Sequence, residues 1–292
     1  MQLLLQQVMA GLANGAIYAG MALAIVMIFL AIDHLNFAQG EMATFSTFIA
    51  WQLIAWGFPY WITFVLVVAI SFVGGVAIER VLFRPLHNAN ILSNLVAFIA
   101  LFSILNSADG YIWDYTIKTF PTPFGTKPLF GSVLIDAHEA GMIVVTAGIL
   151  GLLYLFFSAT RLGLAMRAAA HNPESARLVG VRVGWMTALG WGIAAAIGAV
   201  AGMLIAPVVF LDPNMMFGVL LYGFAGAVLG GLTSPGGAVL GGFAVGIIEN
   251  LAGTFVPYFG RDLKLTIALI VIVAVLMVRP TGIFGRTVVS RV

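Results

Sequence analysis

The chain has 292 residues, of which 62% are hydrophobic and only 8% are charged. Soluble domains carry roughly 25% charged residues, so this composition excludes a water-soluble globule and predicts an integral membrane protein. The net charge of +2 is spread over the whole length without a basic patch, which excludes nucleic-acid binding. The chain contains no cysteine, which excludes disulfides and thiolate metal ligands, and its four histidines lack the spacing of a metal pair.

Hydropathy divides the chain into apolar segments that are candidates for membrane-spanning helices, since one span needs about 20 apolar residues. In chain order the predicted spans are 8–30, 42–57, 61–82, 91–108, 139–158, 185–206, 217–232, 238–256 and 264–279. Before the second span, the segment 33–41 is short and polar, and the alternative to a simple loop is that it re-enters the protein. The expected fold class is an all-α polytopic membrane bundle with about eight or nine transmembrane helices, some broken or re-entrant. A single transmembrane domain would cover 1–292.

The placement of basic residues predicts the orientation, because Lys and Arg near span ends remain on the cytoplasmic side. Three basic groups fall on one side of the predicted spans: Arg80 and Arg84; Arg161, Arg167, Arg177 and Arg182; and Arg279, Arg286 and Arg291. This places the N-terminus outside, the C-terminus inside, loop 161–184 in the cytoplasm and loop 109–138 outside. Arg261 and Lys264 are the main exception.

Glycines in the last third of the chain recur at a spacing typical of closely packed helices. Gly226 and Gly230 are four residues apart, as are Gly237 and Gly241, and small residues at this spacing let membrane helices approach closely. Between the two pairs, the sequence 233–236 (TSPG) indicates a turn or a helix break. Two interpretations remain open here: a closely packed hairpin, or a discontinuous helix that lines a pathway.

Polar residues also interrupt the apolar segments elsewhere. The segment 36–41 (NFAQGE) lies between two predicted spans, and charged residues such as Glu41 must face water, protein or a substrate route. For single amides such as Asn14 and Asn94, an interhelical hydrogen bond is the simpler interpretation. No second carboxylate or histidine lies at helical spacing from these groups, which disfavours a proton-coupled carrier.

The cytoplasmic loop 161–184 contains the signals of a short helix. Asn172 is a favourable cap, Pro173 suits the first turn and Glu174 complements the helix dipole. Gly180 can end the helix in a left-handed conformation, which predicts a helix over Pro173–Val179. A surface-lying membrane anchor is the alternative, but the segment is short and weakly apolar. The pattern favours a docking element for a cytoplasmic partner.

Four segments of the chain resemble the permeases of branched-chain amino-acid ABC transporters. They are L-N-F-A-Q-G-E-M over 35–42, G-x-A-M-R-A-x-x-x-N-x-x-x-A-x-x-x-G over 163–180, G-G-x-x-S-x-x-G-A-x-x-G over 230–241 and R-P-x-G-x-F-G over 279–285. They follow the family order and extend over most of the chain. The N-terminal Asn14-Gly15-x-x-Tyr18-Ala19 is similar to the LivH-type member of this family rather than to its longer LivM-type partner.

The resemblance implies a multi-pass permease in a bacterial inner membrane that imports branched-chain or other apolar amino acids by alternating access. Its implied partners are a second permease of the LivM type, two cytoplasmic ATPases and a periplasmic substrate-binding protein. The chain itself would be non-catalytic and would hold no cofactor: it has no G-x-x-x-x-G-K-[ST] motif, so ATP and magnesium would bind to the ATPases. Sibling importers for urea, amides or other amino acids are an alternative, and a stand-alone carrier or channel is a more distant one.

The resemblance also implies roles for individual residues. The coupling residues for the ATPase would be Gly163, Met166, Arg167, Asn172, Pro173, Glu174, Ala176 and Gly180. The translocation pathway would include Asn14, Asn36, Gln39, Gly40, Glu41, Asn94 and Pro235. Helix packing would depend on Gly226, Gly230, Gly237 and Gly241, and the outer loop 109–138 would either dock the binding protein or cap the bundle.

Overall fold

The structure is a computed structural model that describes residues 2–32, 34–87, 89–125, 127–129, 135–256 and 263–285. The regular secondary structure within these ranges is helical, apart from two isolated β-bridges that join Lys118 to Leu211 and Pro128 to Asp136. The helices are α1 Gln2–Ile32, α2 Gln39–Ala55, α3 Tyr60–Ile78, α4 Ile91–Trp113, α5 Ala137–Ala159, α6 Arg161–His171, α7 Pro173–Leu178, α8 Val183–Val209, α9 Met215–Gly230, α10 Pro235–Phe255 and α11 Lys264–Val278. A π-helical turn, Glu79–Phe83, and a 3-10 turn, Arg84–Leu86, continue α3.

Every predicted apolar segment is a helix in the structure, and the boundaries agree within about four residues except at the start of α1 and the end of α4, which extend six and five residues further. Six of the described helices are long and apolar enough to cross a membrane, and they comprise α1, α3 with its two continuing turns, α4, α5, α8 and α10. Helices α9 and α11 are apolar but shorter, and α2 belongs to neither group. The chain is therefore a polytopic membrane bundle.

Two loop boundaries differ from the prediction. Helix α4 continues to Trp113, so the segment expected to form a loop from residue 109 begins after 113, and the predicted loop 161–184 contains the two helices α6 and α7. Charged Asp109 suggested the end of a span, but the helix continues past it. Of the basic residues that predicted the orientation, Arg261, Arg286 and Arg291 lie outside the described residues.

The chain divides into two compact units. The first unit comprises 1–26, 124–146 and 218–292, and the second comprises 27–123 and 147–217.

In the first unit, α9 and α10 pack backbone against backbone through glycines. A Cβ atom added to Gly226 would lie 2.7 Å from the Cα of Gly242, and one added to Gly241 would lie 2.8 Å from the backbone nitrogen of Gly230. Gly237 in turn faces the carbonyl oxygen of Gly230. Because these contacts are with main-chain atoms, no side chain can move aside for a larger residue. The four glycines predicted to pack thus all stand at this contact.

A C-terminal segment, 279–285, completes the end of α9. The N–H groups of Ile283 and Phe284 donate hydrogen bonds to the carbonyl oxygens of Leu229 and Gly230, at 2.9 and 3.0 Å. The last carbonyls of a helix have no partner within the helix, so these bonds satisfy them. Gly231 has a φ of +108° and lies so close to Gly285 that an added Cβ would be 2.6 Å from its nitrogen.

In the second unit, α2 and α3 pack against α8. Small residues permit the contact: a Cβ on Gly75 of α3 would lie 2.6 Å from the carbonyl oxygen of Trp191. The fully buried Trp191 ring packs on Phe83 and Phe98, with centroid distances of 4.6 and 6.1 Å. Helix α2 begins beside the middle of α8, because the Gln39 amide donates to the Ala194 carbonyl at 2.8 Å.

Candidate coupling element and intramembrane polar sites

Helices α6 and α7 form a compact element that connects α5 to α8. Thr160 caps α6 by accepting the N–H of Gly163 at 3.0 Å. Asn172 ends α6 through its own N–H, which bonds the Ala168 carbonyl at 3.0 Å, and caps α7 by accepting the N–H of Ser175 at 2.9 Å. The predicted short helix is confirmed, with its end at Leu178.

Gly180 closes this element with a φ of +85°. Its N–H bonds the Arg177 carbonyl, and the next N–H, of Val181, reaches back to the Ala176 carbonyl, both at 3.0 Å. This is the hydrogen-bond pattern of a helix that ends in a left-handed residue, where glycine is favoured because it has no Cβ. The chain then turns directly into α8.

The inner face of the element is packed against the start of α8. Ala169, Ala176 and Val183 form a small buried core, with Val181 and Met186 partly buried against it. Of the residues predicted to couple, Gly163, Met166 and Ala176 are buried. Ala176 belongs to this core and Gly163 lies against the backbone of Phe156 and Phe157, so these buried residues are not part of the exposed surface.

The outer face carries the other predicted coupling residues, which are all exposed: Arg167, Asn172, Pro173, Glu174 and Gly180. It also displays aliphatic side chains that the sequence analysis missed. Leu178 and Val179 are 88% and 79% exposed, and Leu162 and Leu164 of α6 are more than half exposed. Isolated leucines in a loop that also carries several arginines are the sequence signal that could have indicated this exposed apolar surface.

The start of α2 gathers several of the predicted pathway residues. Asn36 is buried, and its side-chain oxygen accepts the N–H of Ala38 at 2.9 Å, which shapes the turn into the helix. Gln39 is fully buried, and its oxygen Oε1 has no hydrogen-bond partner among the described residues. Gly40 and Glu41 follow in the first turn and are buried.

Glu41 contacts a polar cluster formed by the end of α4 and the segment after α8. The Nδ2 atom of Asn106 lies 3.3 Å from Glu41 Oε2, 3.1 Å from the Pro213 carbonyl oxygen and 3.2 Å from Asn214 Oδ1. Asp109 follows Asn106 on the same face of α4. It is 0% exposed, and neither of its carboxylate oxygens has a hydrogen-bond partner in the described part of the chain. Asp109 is thus an interior residue, not the first residue of an outer loop.

The remaining predicted pathway residues lie elsewhere. Asn94 is half-buried on α4, 12 residues before Asn106, which corresponds to about 18 Å along the helix. Asn14 is half-buried on α1, in the first unit. Pro235 is the first residue of α10, behind Ser234, whose hydroxyl accepts the N–H of Gly237 at 3.1 Å. The sequence around Pro235 therefore forms a turn between two helices rather than a break within one.

A second cluster of buried polar side chains lies in the first unit, and the sequence analysis did not predict that its members meet. The Glu249 carboxylate receives Lys264 Nζ at 3.1 Å, the Tyr18 hydroxyl at 3.3 Å and Asn250 Nδ2 at 3.2 Å. Tyr18 also stacks on Tyr222, with a centroid distance of 4.7 Å. This charge is fully compensated, in contrast to Asp109.

The family model described as "Branched-chain amino acid transport system / permease component" matches residues 7–276. The chain belongs to this family. A similar curated permease is the high-affinity branched-chain amino acid transport system permease protein BraD of Pseudomonas aeruginosa, which is 33% identical over 99% of this chain and 98% of its own length. The corresponding LivH protein of Escherichia coli (strain K12) is 31% identical over 99% and 97%.

The permease also resembles a probable branched-chain amino acid transport permease protein LivH of Methanocaldococcus jannaschii, at 29% identity over 91% of this chain and 87% of that protein. Among solved structures, PsaBC from Streptococcus pneumoniae in complex with Fab matches with a TM-score of 0.51. Its identity is 10%, and the match covers 93% of this chain and 91% of that chain. This likeness supports the fold alone.

In the permease, the two sites differ in what they can do chemically. The α6–α7 element presents an exposed face on a fixed base, which suits contact with another protein. The cluster around Asn106 is rich in oxygen atoms and buried, which suits a small cation or a hydrogen-bond donor. Across the described ranges, no group of three or more His, Cys, Asp or Glu side chains could hold a metal ion.

Proposed function

We propose that this chain is the LivH-type permease subunit of an ATP-driven importer that moves branched-chain or other apolar amino acids into the cytoplasm by alternating access. The observation that carries this proposal is the family match over residues 7–276. The names of the BraD and LivH relatives, which align over nearly their full length, support the substrate class.

The α6–α7 element is the proposed contact with the ATPase. It lies between α5 and α8, both of which are long enough to cross a membrane. Its exposed Leu178 and Val179 provide an apolar contact surface, and its buried Ala169, Ala176 and Val183 attach it to α8. A push on this surface is therefore transmitted to α8, against which α2 and α3 pack.

The proposed assembly contains this chain, a LivM-type second permease, two cytoplasmic ATPases that bind ATP and magnesium, and a periplasmic substrate-binding protein. The chain itself contributes no catalytic residue. In the proposed orientation within the bacterial inner membrane, the N-terminus is periplasmic and α6–α7 and the C-terminus are cytoplasmic. The segment between α4 and α5 would then face the binding protein, and α9, α11 and the re-entrant α2 would raise the number of membrane-embedded helices to about eight or nine.

The proposal is tested by purifying the tagged chain from its native membranes in mild detergent and identifying its partners by mass. We expect two P-loop ATPases and a second hydrophobic permease. Leucine uptake by the reconstituted assembly should require ATP and the binding protein. Recovery of the chain alone, with transport into liposomes that contain no ATP, would instead identify a carrier or channel. Assembly with ATPases but uptake of urea or amides only would identify a sibling importer.

A matched pair of variants tests the coupling surface. Leu178→Asp places a charge on the exposed α7 surface, and Ile117→Asp makes the same change at a 72% exposed position between α4 and α5. We expect Leu178→Asp to lose the ATPases in the purification and Ile117→Asp to retain them. Equal recovery of the ATPases with both variants would show that α7 is not the contact.

A further inference from the structure

The polar cluster around Asn106 contains buried carboxylates that the helix packing of the permease does not require. We call it the Glu41 cluster, and its members come from α2, α4 and the segment after α8: Glu41, Asn106, Asp109, Asp212, Pro213 and Asn214. All of them lie within the second unit. Glu41 is 1% exposed and Asp109 is 0% exposed. Three carboxylates are within electrostatic range of one another in sequence: Asp212 acts on Glu41, and Glu41 acts on Asp109.

Within the cluster, hydrogen-bond acceptors outnumber donors. Glu41 and Asp109 each bring two carboxylate oxygens, and Pro213 and Asn214 each bring one carbonyl oxygen. In the described hydrogen bonds to these oxygens the donor is the Asn106 amide, which has two hydrogens for three oxygens at 3.1–3.3 Å. Asp109 receives no hydrogen bond from any described residue. Buried carboxylates without donors are costly, and an additional group with several N–H donors and a positive charge would offset this cost.

The cluster has a buried floor and an exposed edge. Asp109 and Glu41 form the floor, while Asn214 is exposed and Asp212 is half-buried at the edge. The floor lies deep in the unit, because α2 starts opposite Ala194, near the middle of the candidate span α8. A charged group at such a depth is a functional-site hypothesis by default, since it is expensive to keep there. Asn214 and Asp212 are therefore the members of the cluster that are accessible from outside the unit.

We propose that the Glu41 cluster receives the α-ammonium group of the transported amino acid, with Asp109 and Glu41 as its acceptors. This inference rests on the proposed function and adds the residues that recognise one end of the substrate. A primary ammonium carries three N–H donors and one positive charge, which matches the deficit of the cluster. A divalent metal suits it less, because the described residues hold no group of three His, Cys, Asp or Glu ligands. In the proposed orientation the exposed edge faces the outer half of the membrane, where substrate enters.

The test uses the full-length chain in lipid nanodiscs and ligand-observed NMR, which detects weak binding. Four probes separate the possible ligands: L-leucine, 3-methylbutylammonium (the ammonium without the carboxylate), 4-methylpentanoate (the carboxylate without the ammonium) and sodium chloride. We expect leucine and 3-methylbutylammonium to bind and to displace one another, and 4-methylpentanoate not to compete. This comparison needs no variant, so a misfolded variant does not remove the test.

Variants then assign the site. Asp109→Asn and Glu41→Gln keep the size of each side chain and remove its charge, and each should weaken binding of 3-methylbutylammonium by at least about tenfold. The matched control is Asp114→Asn, which removes an exposed carboxylate just after α4.

The proposal is overturned if 4-methylpentanoate binds as well as the ammonium, if neither organic probe binds, or if sodium alone displaces leucine. It is also overturned if well-folded Asp109→Asn and Glu41→Gln proteins bind like Asp114→Asn. ATP-dependent leucine uptake by the complete wild-type assembly separates the two proposals. Uptake without ammonium binding would refute this site and leave the importer assignment standing, whereas loss of both would refute the assignment itself.

Discussion

Replacing Lys264 by methionine would leave the Glu249 carboxylate buried without the cation that pairs with it. The side chain of Glu249 is 5% exposed, and its Oε1 atom lies 3.1 Å from Lys264 Nζ. The path of the lysine side chain is fixed by Gly253, where an added Cβ would lie 2.8 Å from Lys264 Cε. Methionine retains the apolar length of the side chain and removes the charge, so the change isolates the ion pair.

The magnitude follows from burial and from the partners that remain. Removing one partner of a fully buried ion pair costs about 3–5 kcal/mol. Here the Lys264 side chain is 31% exposed, and Glu249 keeps the donors Tyr18 and Asn250, so we expect a loss of about 2–3 kcal/mol in the free energy of unfolding. The double variant Lys264→Met/Glu249→Gln removes both charges and should recover most of this loss. The interaction energy between Lys264 and Glu249 from this double-mutant cycle should be about 2 kcal/mol.

In the assay, the purified chain is heated in detergent to a series of temperatures. Size-exclusion chromatography then measures the fraction that remains monodisperse at each temperature. Lys264→Met should lower the midpoint by roughly 5 °C, and the double variant should lie near wild type. Lys127→Met, at an exposed lysine, is the matched control and should be neutral. If the double variant were as unstable as Lys264→Met, the lysine would act through packing and not through its charge.

Two further predictions concern glycines, each with a control. Gly241→Ala should lower the free energy of unfolding by about 1–3 kcal/mol, because the new Cβ would press on the backbone of α9. Gly236→Ala, in open space on the same helix, is the control and should be neutral. Equal melting points of the two variants would refute the close contact. Gly180→Val should uncouple ATP hydrolysis from uptake, because valine opposes a φ of +85°. Gly180→Asn, which tolerates this conformation better, should retain coupling in the same transport assay. A valine variant with normal coupling would refute the need for glycine at this position.

The apolar helices were predictable from the sequence because each one is predominantly apolar over its length. The boundaries agree closely, as for α8, predicted over 185–206 and observed over Val183–Val209. Helix α6 was missed because Arg161, Arg167 and His171 interrupt the apolar residues of this short segment. Its signal is the helical spacing of Gly163, Met166 and Ala169, which are the buried residues of α6. The cap residues of α7 act locally, and that short helix was therefore predicted correctly.

The Glu41 cluster could not be predicted, because it is formed by contacts between segments far apart in the chain. Spacing along one helix cannot reveal that Asn106 of α4 reaches Glu41 of α2. Charge was also misleading, since Asp109 suggested a loop although the helix continues over it to Trp113. The depth of α2 is likewise a tertiary property, set by its contact with Ala194. Local sequence signals therefore predicted elements and caps, and tertiary packing decided which polar residues meet.

The C-terminal segment 279–285 has a consequence for the order in which the protein is made. The carbonyl groups at the end of α9 receive their hydrogen bonds from Ile283 and Phe284, which leave the ribosome only after α10 and α11. Until then the end of α9 relies on water or on temporary partners. Newly inserted chains therefore pass through a stage in which the hairpin is in the membrane but unfinished. A chain truncated before residue 279 would remain at this stage, with α9, α10 and α11 present but without the donors that complete the end of α9.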